Sequence, residues 1–599
     1  MAIEPFVSSP VASASVTGAQ GASSIRLLII RRFRGINEVA WRPGNGLNVI
    51  LGGGDVGKTT ILEAIALLIS PTNAISVSDT DYYMRNVDAG FSIEGVFTLP
   101  PESGVSDQLK PSWPWEWSGT EAVVPSSDGE GAKGEAVYCL RARGTEDLEL
   151  TYEIVQPDGT ADILPVALRR AIGLVRLGGD DRSDRDLRLV QGSALDRLLS
   201  DKTLRSRIAT KLSETEVEEE LSDDAKKALE ELDVVFEREK LPDCLELSVT
   251  GSPGASIASM IGLTASLDDE TQLPLSSWGA GTRRLAALTI AEQNQGEHPI
   301  TVVDEIERGL EPYRQRVLIG KLQNGKSQAF VTTHSPAAIS GAAGAALWYI
   351  GHDGKIGPLD DKKIAAHRVK DPDTFLSRLS IIGEGATEVG FCKALLERAL
   401  EGPLQHHGIH VSDGSGNENT LDLLEALAEG GLKFGGFADD EQSNPQRWAK
   451  VLAAQGALVF RWKAGCLEDN VVGAVADTRL EDLLQCPKGE KTGERLRTLA
   501  DRLNINDKAF ETVSATAGAN LKQLMIDAAK GTVPADKQDE KKQYKAHSQR
   551  WFKTEDGGRE LMAKVFSLGV WPTLKADLLT FCNAVRKAVE LDDITDVKP

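Results

Sequence analysis

Short apolar runs and period-two alternation dominate the first third of the chain. Residues 25–33 (Ile-Arg-Leu-Leu-Ile-Ile-Arg-Arg-Phe) and 47–51 (Leu-Asn-Val-Ile-Leu) read as strands. Alternation returns at 91–99 (Phe-Ser-Ile-Glu-Gly-Val-Phe-Thr-Leu), and less clearly at 136–142 and 147–155. From 100 to 135 Pro, Gly and Ser surround Trp113, Trp115 and Trp117, which predicts a long surface insertion with irregularly packed tryptophans. Residues 186–240 read as helical and are charged over 204–240, with Leu221, Leu229, Leu232 and Val235 on one face. A solvated helix packed on the core and an insertion joining two protomers suit that pattern equally. Asp371-Pro-Asp, after a basic stretch ending at Lys370, marks a linker.

Composition narrows the class. With 599 residues, 41% apolar and 26% charged, the chain has material for roughly three to four domains. The first 24 residues lack a basic segment and a continuous apolar core, so a disordered tail is expected rather than a signal peptide. No apolar run suggests a membrane span, and six scattered cysteines without a CxxC pair fit a reducing, cytoplasmic setting. A net charge of −22 disfavours nonspecific adhesion to nucleic acid, but does not exclude DNA binding where Lys and Arg cluster.

The first chemical signal follows the second strand. Gly52-Gly-Gly54-Asp-Val-Gly57-Lys58-Thr59 is a strand-to-helix turn whose amides can curl around phosphate oxygens at a helix N-terminus. Lys58 is expected on the β- and γ-phosphates of ATP and Thr59 on Mg²⁺, with Thr60 opening the helix. The run Ile300-Thr-Val-Val303 ends in Asp304-Glu305. Asp304 is expected to hold Mg²⁺ and Glu305 to polarise the attacking water. His334 ends another strand and can contact the γ-phosphate. Ahead of the acidic pair, Gly279-Ala-Gly281 is a small-residue turn opening a helix.

A second set of acids lies beyond residue 380. Ile381-Ile382-Gly383 leads into Glu384 and, four residues on, Glu388. A strand before Asp413-Gly414-Ser-Gly416 and another before Asp439-Asp440-Glu441 follow. If the backbone stays extended, Asp439 and Glu441 share one side and Asp440 the other. Carboxylates at strand ends fit Mg²⁺ or Mn²⁺, and a pair of such ions suits phosphodiester cleavage. Residues 541–553 interleave Lys and Arg with Tyr544, Trp551 and Phe552, a pattern that can track DNA and stack on bases.

The first set resembles the ABC-type ATPases of the SMC and RecF kind. The match rests on Gly57-Lys58-Thr-Thr-Ile-Leu-Glu63, the acidic pair, and Glu307 to Pro312 as a dimer-contact loop. That resemblance implies a nucleotide held between two heads, with Gly279 and Gly281 of one facing the phosphate loop of the other. It departs from the pattern in having Gly279 at the signature serine and no clear glutamine loop.

Glu384-Gly-Ala-Thr-Glu388 with Asp439-x-Glu441 resembles a Toprim domain, and the two together resemble the OLD (overcoming lysogenization defect) nucleases, Gabija-type enzymes included. The resemblance implies Glu468 as a further metal ligand and Lys553 as a cation near the metal. It also implies ATP-regulated DNA cleavage by an oligomer, with a partner protein and a role in phage defence. The expected architecture is α/β. A tail spans 1–24, an ABC-type P-loop ATPase head spans 25–160 and 266–370, and a helical insertion spans 161–265. A Rossmann-like Toprim domain with a helical extension follows over 371–599. A RecF-like ATP-switched clamp without nuclease activity is the competing reading. A topoisomerase or primase is disfavoured, because Tyr544 is the only tyrosine after Gly383 and no zinc ribbon is present.

Overall fold

The computed structural model describes residues 22–73, 75–105, 112–125, 134–177, 186–190, 193–199, 218, 221–249, 261–266, 272–293, 299–486 and 490–599. Most of the expected tail and the segment 204–217 of the charged helix lie outside them. Two compact units emerge. Of the described residues, one holds those up to Leu51 and Gly57–Trp348, and the other holds Tyr349–Pro599 together with the loop Gly52–Val56.

The first unit is a mixed α/β head. Strands β1 (Ser24–Phe33), β2 (Ile36–Trp41), β4 (Phe91–Thr98), β5 (Trp115–Trp117), β6 (Ala122–Val123) and β7 (Glu135–Gly144) form an antiparallel sheet in the order β2-β1-β4-β7-β5-β6. Strand β8 (Leu150–Val155) pairs with β7 and with β9 (Ala161–Ile163). A second sheet sets β10 (Leu174–Leu177), β14 (Ile300–Val303), β15 (Ala329–Thr332) and β3 (Leu47–Gly52) side by side, all parallel. Every residue of β3, β14 and β15 is buried, as expected of parallel strands covered on both faces. Helix α1 (Lys58–Leu68) packs on β1, β4 and β7 and on β14 and β15, so it lies between the two sheets.

Two expectations change here. The tryptophan segment is partly regular: Trp115 and Trp117 sit on β5, and the Trp115 indole N–H donates to the Val155 carbonyl at 2.8 Å. Alternation over so few residues between Pro and Gly is too weak to read as a strand. The segment 161–265 is only partly helical. Its β10 belongs to the parallel sheet, and β12 (Ile261–Ser266) pairs antiparallel with β11 (Glu246–Val249) on one side and β13 (Gln272–Pro274) on the other. The amphipathic helix α2 (Asp223–Arg238) buries Ala225, Leu229, Leu232 and Phe236, a cleaner stripe than one through Val235. It packs against α3 (Ala280–Gln293) within the head.

The chain leaves the head within β16 (Ala346–Ile350), and β17 (Ile356–Pro358) opens the second unit. Its core is a parallel sheet of β18 (Leu379–Gly383), β19 (Ile409–Asp413), β20 (Gly435–Ala438) and β21 (Val459–Arg461), in the order β19-β18-β20-β21. Phe437 stacks on Phe460 with centroids 4.8 Å apart, flanked by Phe391, Trp462 and Phe581. Helices α4 (Ala386–Ala399), α5 (Asn417–Glu429), α6 (Leu467–Gly473), α7 (Leu521–Lys530), α8 (Glu555–Ser567) and α9 (Trp571–Ala588) complete the parts that shape the site. The expected linker is fastened to the sheet, since Asp371 pairs with His410 at 2.8 Å and accepts the Ser412 hydroxyl at 2.5 Å.

Helices α4 and α8 cross where neither has a side chain. A Cβ on Gly390 would lie 1.9 Å from the Glu555 carbonyl oxygen, and one on Gly558 would lie 2.0 Å from that of Thr387. Across this contact the Thr387 hydroxyl donates to the Phe552 carbonyl at 2.9 Å. The aromatic residues read as a DNA-stacking surface are inside: Tyr544 is buried, and Trp551 and Phe552 are fully so, with the Arg495 guanidinium against both rings. Alternating cations and aromatics gave no sign of which face turns inward. Among the described residues no helix is long and apolar enough to cross a membrane, and no disulfide joins the cysteines.

Candidate functional site

In the head, the C-terminal ends of adjacent parallel strands gather the first chemical set. Strand β3 runs into the glycine loop, where Gly52 (φ 143°) and Gly57 (φ 99°) hold backbone conformations that favour glycine. Gly54 is exposed, Lys58 is buried, and Thr60 is half-buried on the first turn of α1. The Thr59 hydroxyl donates to Asp304 Oδ1 at 3.2 Å, and the Thr332 hydroxyl donates to the same oxygen at 2.6 Å. A hydroxyl beside a carboxylate at the foot of a phosphate loop is a donor set that fits Mg²⁺. Glu305 sits at φ 48°, a left-handed conformation costing a non-glycine residue roughly 1–2 kcal/mol. Its amide is tied to Thr332 Oγ1 at 2.8 Å.

His334 is held by a residue the sequence reading placed in a dimer-contact loop. The Glu307 carboxylate accepts from the His334 amide at 2.8 Å and from the Thr333 hydroxyl at 2.6 Å. Burial first, and then the Lys58 ammonium, lower the His334 imidazole below its ordinary value, so the ring is largely neutral near pH 7. Gly279 and Gly281 start α3. Gly279 faces open space, whereas a Cβ on Gly281 would lie 2.3 Å from the Gly309 carbonyl oxygen, so close packing requires glycine at 281. From the same helix the buried Arg284 donates to the Asp304 and Arg308 carbonyls. Together these are the parts of an ATPase-type head.

The second set lies in the other unit, at the point where the strand order reverses. Connections from β18 and β20 leave in opposite directions, which opens a crevice at their C-terminal ends. Glu384 follows β18 and Asp439 follows β20, and both are buried. Glu384 Oε2 accepts from the Asp439 amide at 2.9 Å and from Asn417 Nδ2 at 2.8 Å. Glu388 lies on the first turn of α4, and the fully buried Glu468 lies on α6. Lys553 Nζ is 2.8 Å from Glu468 Oε1. Glu384, Glu388, Asp439, Glu441 and Lys553 all line one cavity of about 440 Å³. Asp440 turns away to Arg461 at 2.6 Å. Sequence reasoning missed Asn417, Lys530 and Cys466; the Cys-x-Glu spacing before Glu468 is the one signal that could have pointed to the thiol.

The electrostatics leave the site short of positive charge. Burial, then Glu388, Glu384 and Glu468, push the Asp439 carboxyl up to about 9. Burial and Glu468 push Glu388 up to about 7, and burial raises Glu384. The Glu388 carboxylate makes no hydrogen bond or ion pair with another residue among the described residues. Lys553 alone cannot balance four buried acids, and oxygen donors around a cavity fit a divalent cation of the Mg²⁺ or Mn²⁺ kind.

A stability consequence follows. The folded, cation-free protein keeps a proton on Asp439 that the unfolded chain, with an ordinary value of 3.8, releases. Stability from this group is therefore present at low pH and is lost as pH rises towards about 9. A cation that replaces the proton restores it. Added Mn²⁺ is expected to raise the melting temperature more at about pH 8 than at about pH 6. Equal shifts in scanning fluorimetry at the two values would contradict this.

Residues 167–340 match the family described as "AAA domain, putative AbiEii toxin, Type IV TA system". The span contains Gly279, Gly281, Asp304, Glu305 and His334 and begins after the glycine loop. Among solved structures, the Smc head bound to the C-winged helix domain of ScpA is 16% identical, with 57% of this chain and 99% of that chain covered and a TM-score of 0.37. The recombination mediator protein RecF with ATPrS, of the RecFOR pathway, is 14% identical over 57% of this chain and 100% of that chain, with a TM-score of 0.35. The Smc head with an extended coiled coil bound to the C-terminal domain of ScpA, from Pyrococcus furiosus, is 13% identical over 58% and 99%, with a TM-score of 0.33. No curated protein matches the chain.

Proposed function

We propose that this protein is an ATP-regulated, divalent-metal-dependent DNA endonuclease of the OLD type, its second unit a Toprim-like domain. The observation that carries the reading is the buried set Glu384, Glu388 and Asp439 on one cavity at the switch of a parallel sheet, with Lys553 on the same cavity paired to the buried Glu468. Glu384, Glu388, Asp439, Glu441 and Glu468 would hold the cation. Bound there, Mg²⁺ or Mn²⁺ supplies an activated water and neutralises charge on a phosphodiester. Asn417 and the Asp439 amide orient Glu384, and the Lys553 ammonium would stabilise negative charge developing on a scissile phosphate. DNA is the substrate class, and pairing of heads as a homo-oligomer is the proposed means by which ATP controls access. A partner protein and a role in phage defence belong to the same proposal.

In the head, Lys58, Thr59 and Asp304 bind the nucleotide with its Mg²⁺, and Glu305 acts on water. Glu305→Gln is expected to keep ATP binding while lowering turnover by about a hundredfold. Nucleotide titration beside phosphate release checks both halves.

The deciding experiment is cleavage of supercoiled plasmid with Mg²⁺ or Mn²⁺, with and without ATP, beside Glu384→Ala and Lys58→Ala. Cutting that Glu384→Ala removes supports the nuclease. Intact ATP turnover and DNA binding with no cutting under any condition would instead favour a noncatalytic ATP-switched DNA clamp.

A further inference from the structure

We propose that Asp439, Cys466 and Glu468 form a site for a thiophilic divalent cation of the zinc class, overlapping the site for the hard cation. One ligand atom from each residue lies within 4.8 Å of the others, close enough to surround a single ion. Asp439 and Glu468 are buried, and Cys466, half-buried, lines the same cavity. The inference rests on the metal-site reading above for the two shared carboxylates, and adds the sulfur.

The thiol is fixed in place. Cys466 stands at the N-cap of α6, where its amide donates to Asp469 Oδ2 at 2.9 Å and its carbonyl accepts from the Asn470 amide at 3.1 Å. The Leu467 amide donates to Asp439 Oδ1 at 2.9 Å, which ties the second ligand to the same turn. Lys553 occupies Glu468 Oε1, so the Cys466 thiol donates to the other oxygen, Oε2, at 3.1 Å. A cation entering from the cavity exchanges for that thiol proton, which leaves to solvent, and meets two carboxylates and a thiolate. Oxygen donors alone select Mg²⁺ or Mn²⁺, whereas one thiolate among them shifts preference to Zn²⁺ or Cd²⁺. Because Asp439 and Glu468 serve both ions, zinc and the hard cation exclude one another.

The test uses the full chain freed of metal, with Cys466→Ser to keep the volume and Cys466→Ala as a second variant. Cd²⁺ is expected to give a thiolate-to-cadmium ultraviolet band that both variants lose. Zn²⁺ affinity, measured against a chromophoric chelator, falls by about tenfold or more in the variants, while Mn²⁺ affinity by electron paramagnetic resonance stays within about threefold. Circular dichroism checks that the variants fold. The same cadmium band and zinc affinity in the variants, with Mn²⁺ bound normally, would overturn this inference alone. Failure of the wild-type chain to bind either Mn²⁺ or Zn²⁺ would overturn it together with the metal-site reading beneath it.

Discussion

Alanine at Glu384 is expected to reduce metal-dependent plasmid cleavage by about a thousandfold while leaving ATP turnover within about twofold of wild type. The asymmetry comes from where the residue sits. Its carboxylate is the junction between β18 and β20, receiving the Asp439 amide and the Asn417 side chain, and it faces the cavity. Truncation would remove one of the proposed cation ligands and free the backbone that carries another. The fold should tolerate the change, because burial already raises this carboxyl and a neutral residue relieves repulsion from its neighbours. A gel assay of nicked and linear product, run beside phosphate release, reads both quantities. Cutting within tenfold of wild type would remove Glu384 from the reaction.

Lys553→Met should show two losses at once. Burial alone would lower the Lys553 ammonium, but Glu468 and Glu388 outweigh it and hold it above its ordinary value. Methionine keeps most of the stem and leaves Glu468 fully buried without its cation. Since the lysine side chain is about a third exposed, the cost in a urea titration is put at about 2 kcal/mol, below the range for a fully buried pair. Cleavage is expected to fall by about a hundredfold. Adding Glu468→Gln to Lys553→Met removes the orphaned charge, and Glu468→Gln alone, which itself costs a proposed cation ligand, is the reference for cleavage. Stability should return, and cleavage should stay well below that of Glu468→Gln alone. Recovered stability with cleavage equal to that reference would leave Lys553 with a pairing role only.

These expectations rest on parts of the molecule that differ in how openly the sequence displays them. The glycine loop, Asp304-Glu305 and the strands before Glu384 and Asp439 were legible because each is local: an apolar run, a turn, then a charged or glycine residue. The cation partners were less so. Glu307 holds His334 through contacts between two strand ends, and the turn at Cys466 meets Asp439 only through the Leu467 amide, across 28 residues of chain. The residues 541–553 misled for a related reason. Their alternation of cations and rings is the same whether the rings face solvent or the interior, and here Arg495 and the core claim Trp551 and Phe552. The segment 161–265 hid β10 because four residues carry too little pattern to distinguish a strand from a helix end.

The glycine crossing of α4 and α8 also has a bearing on the order in which a ribosome releases the chain. Glu384, Asp439 and Glu468 emerge first, and the lysine that faces them waits for the segment that Gly558 seats against Gly390. A nascent chain stalled before residue 553 carries the acids without the ammonium that pairs with Glu468. Translation thus withholds the completed constellation until Lys553 has emerged, and a product cut short before that residue is born without it.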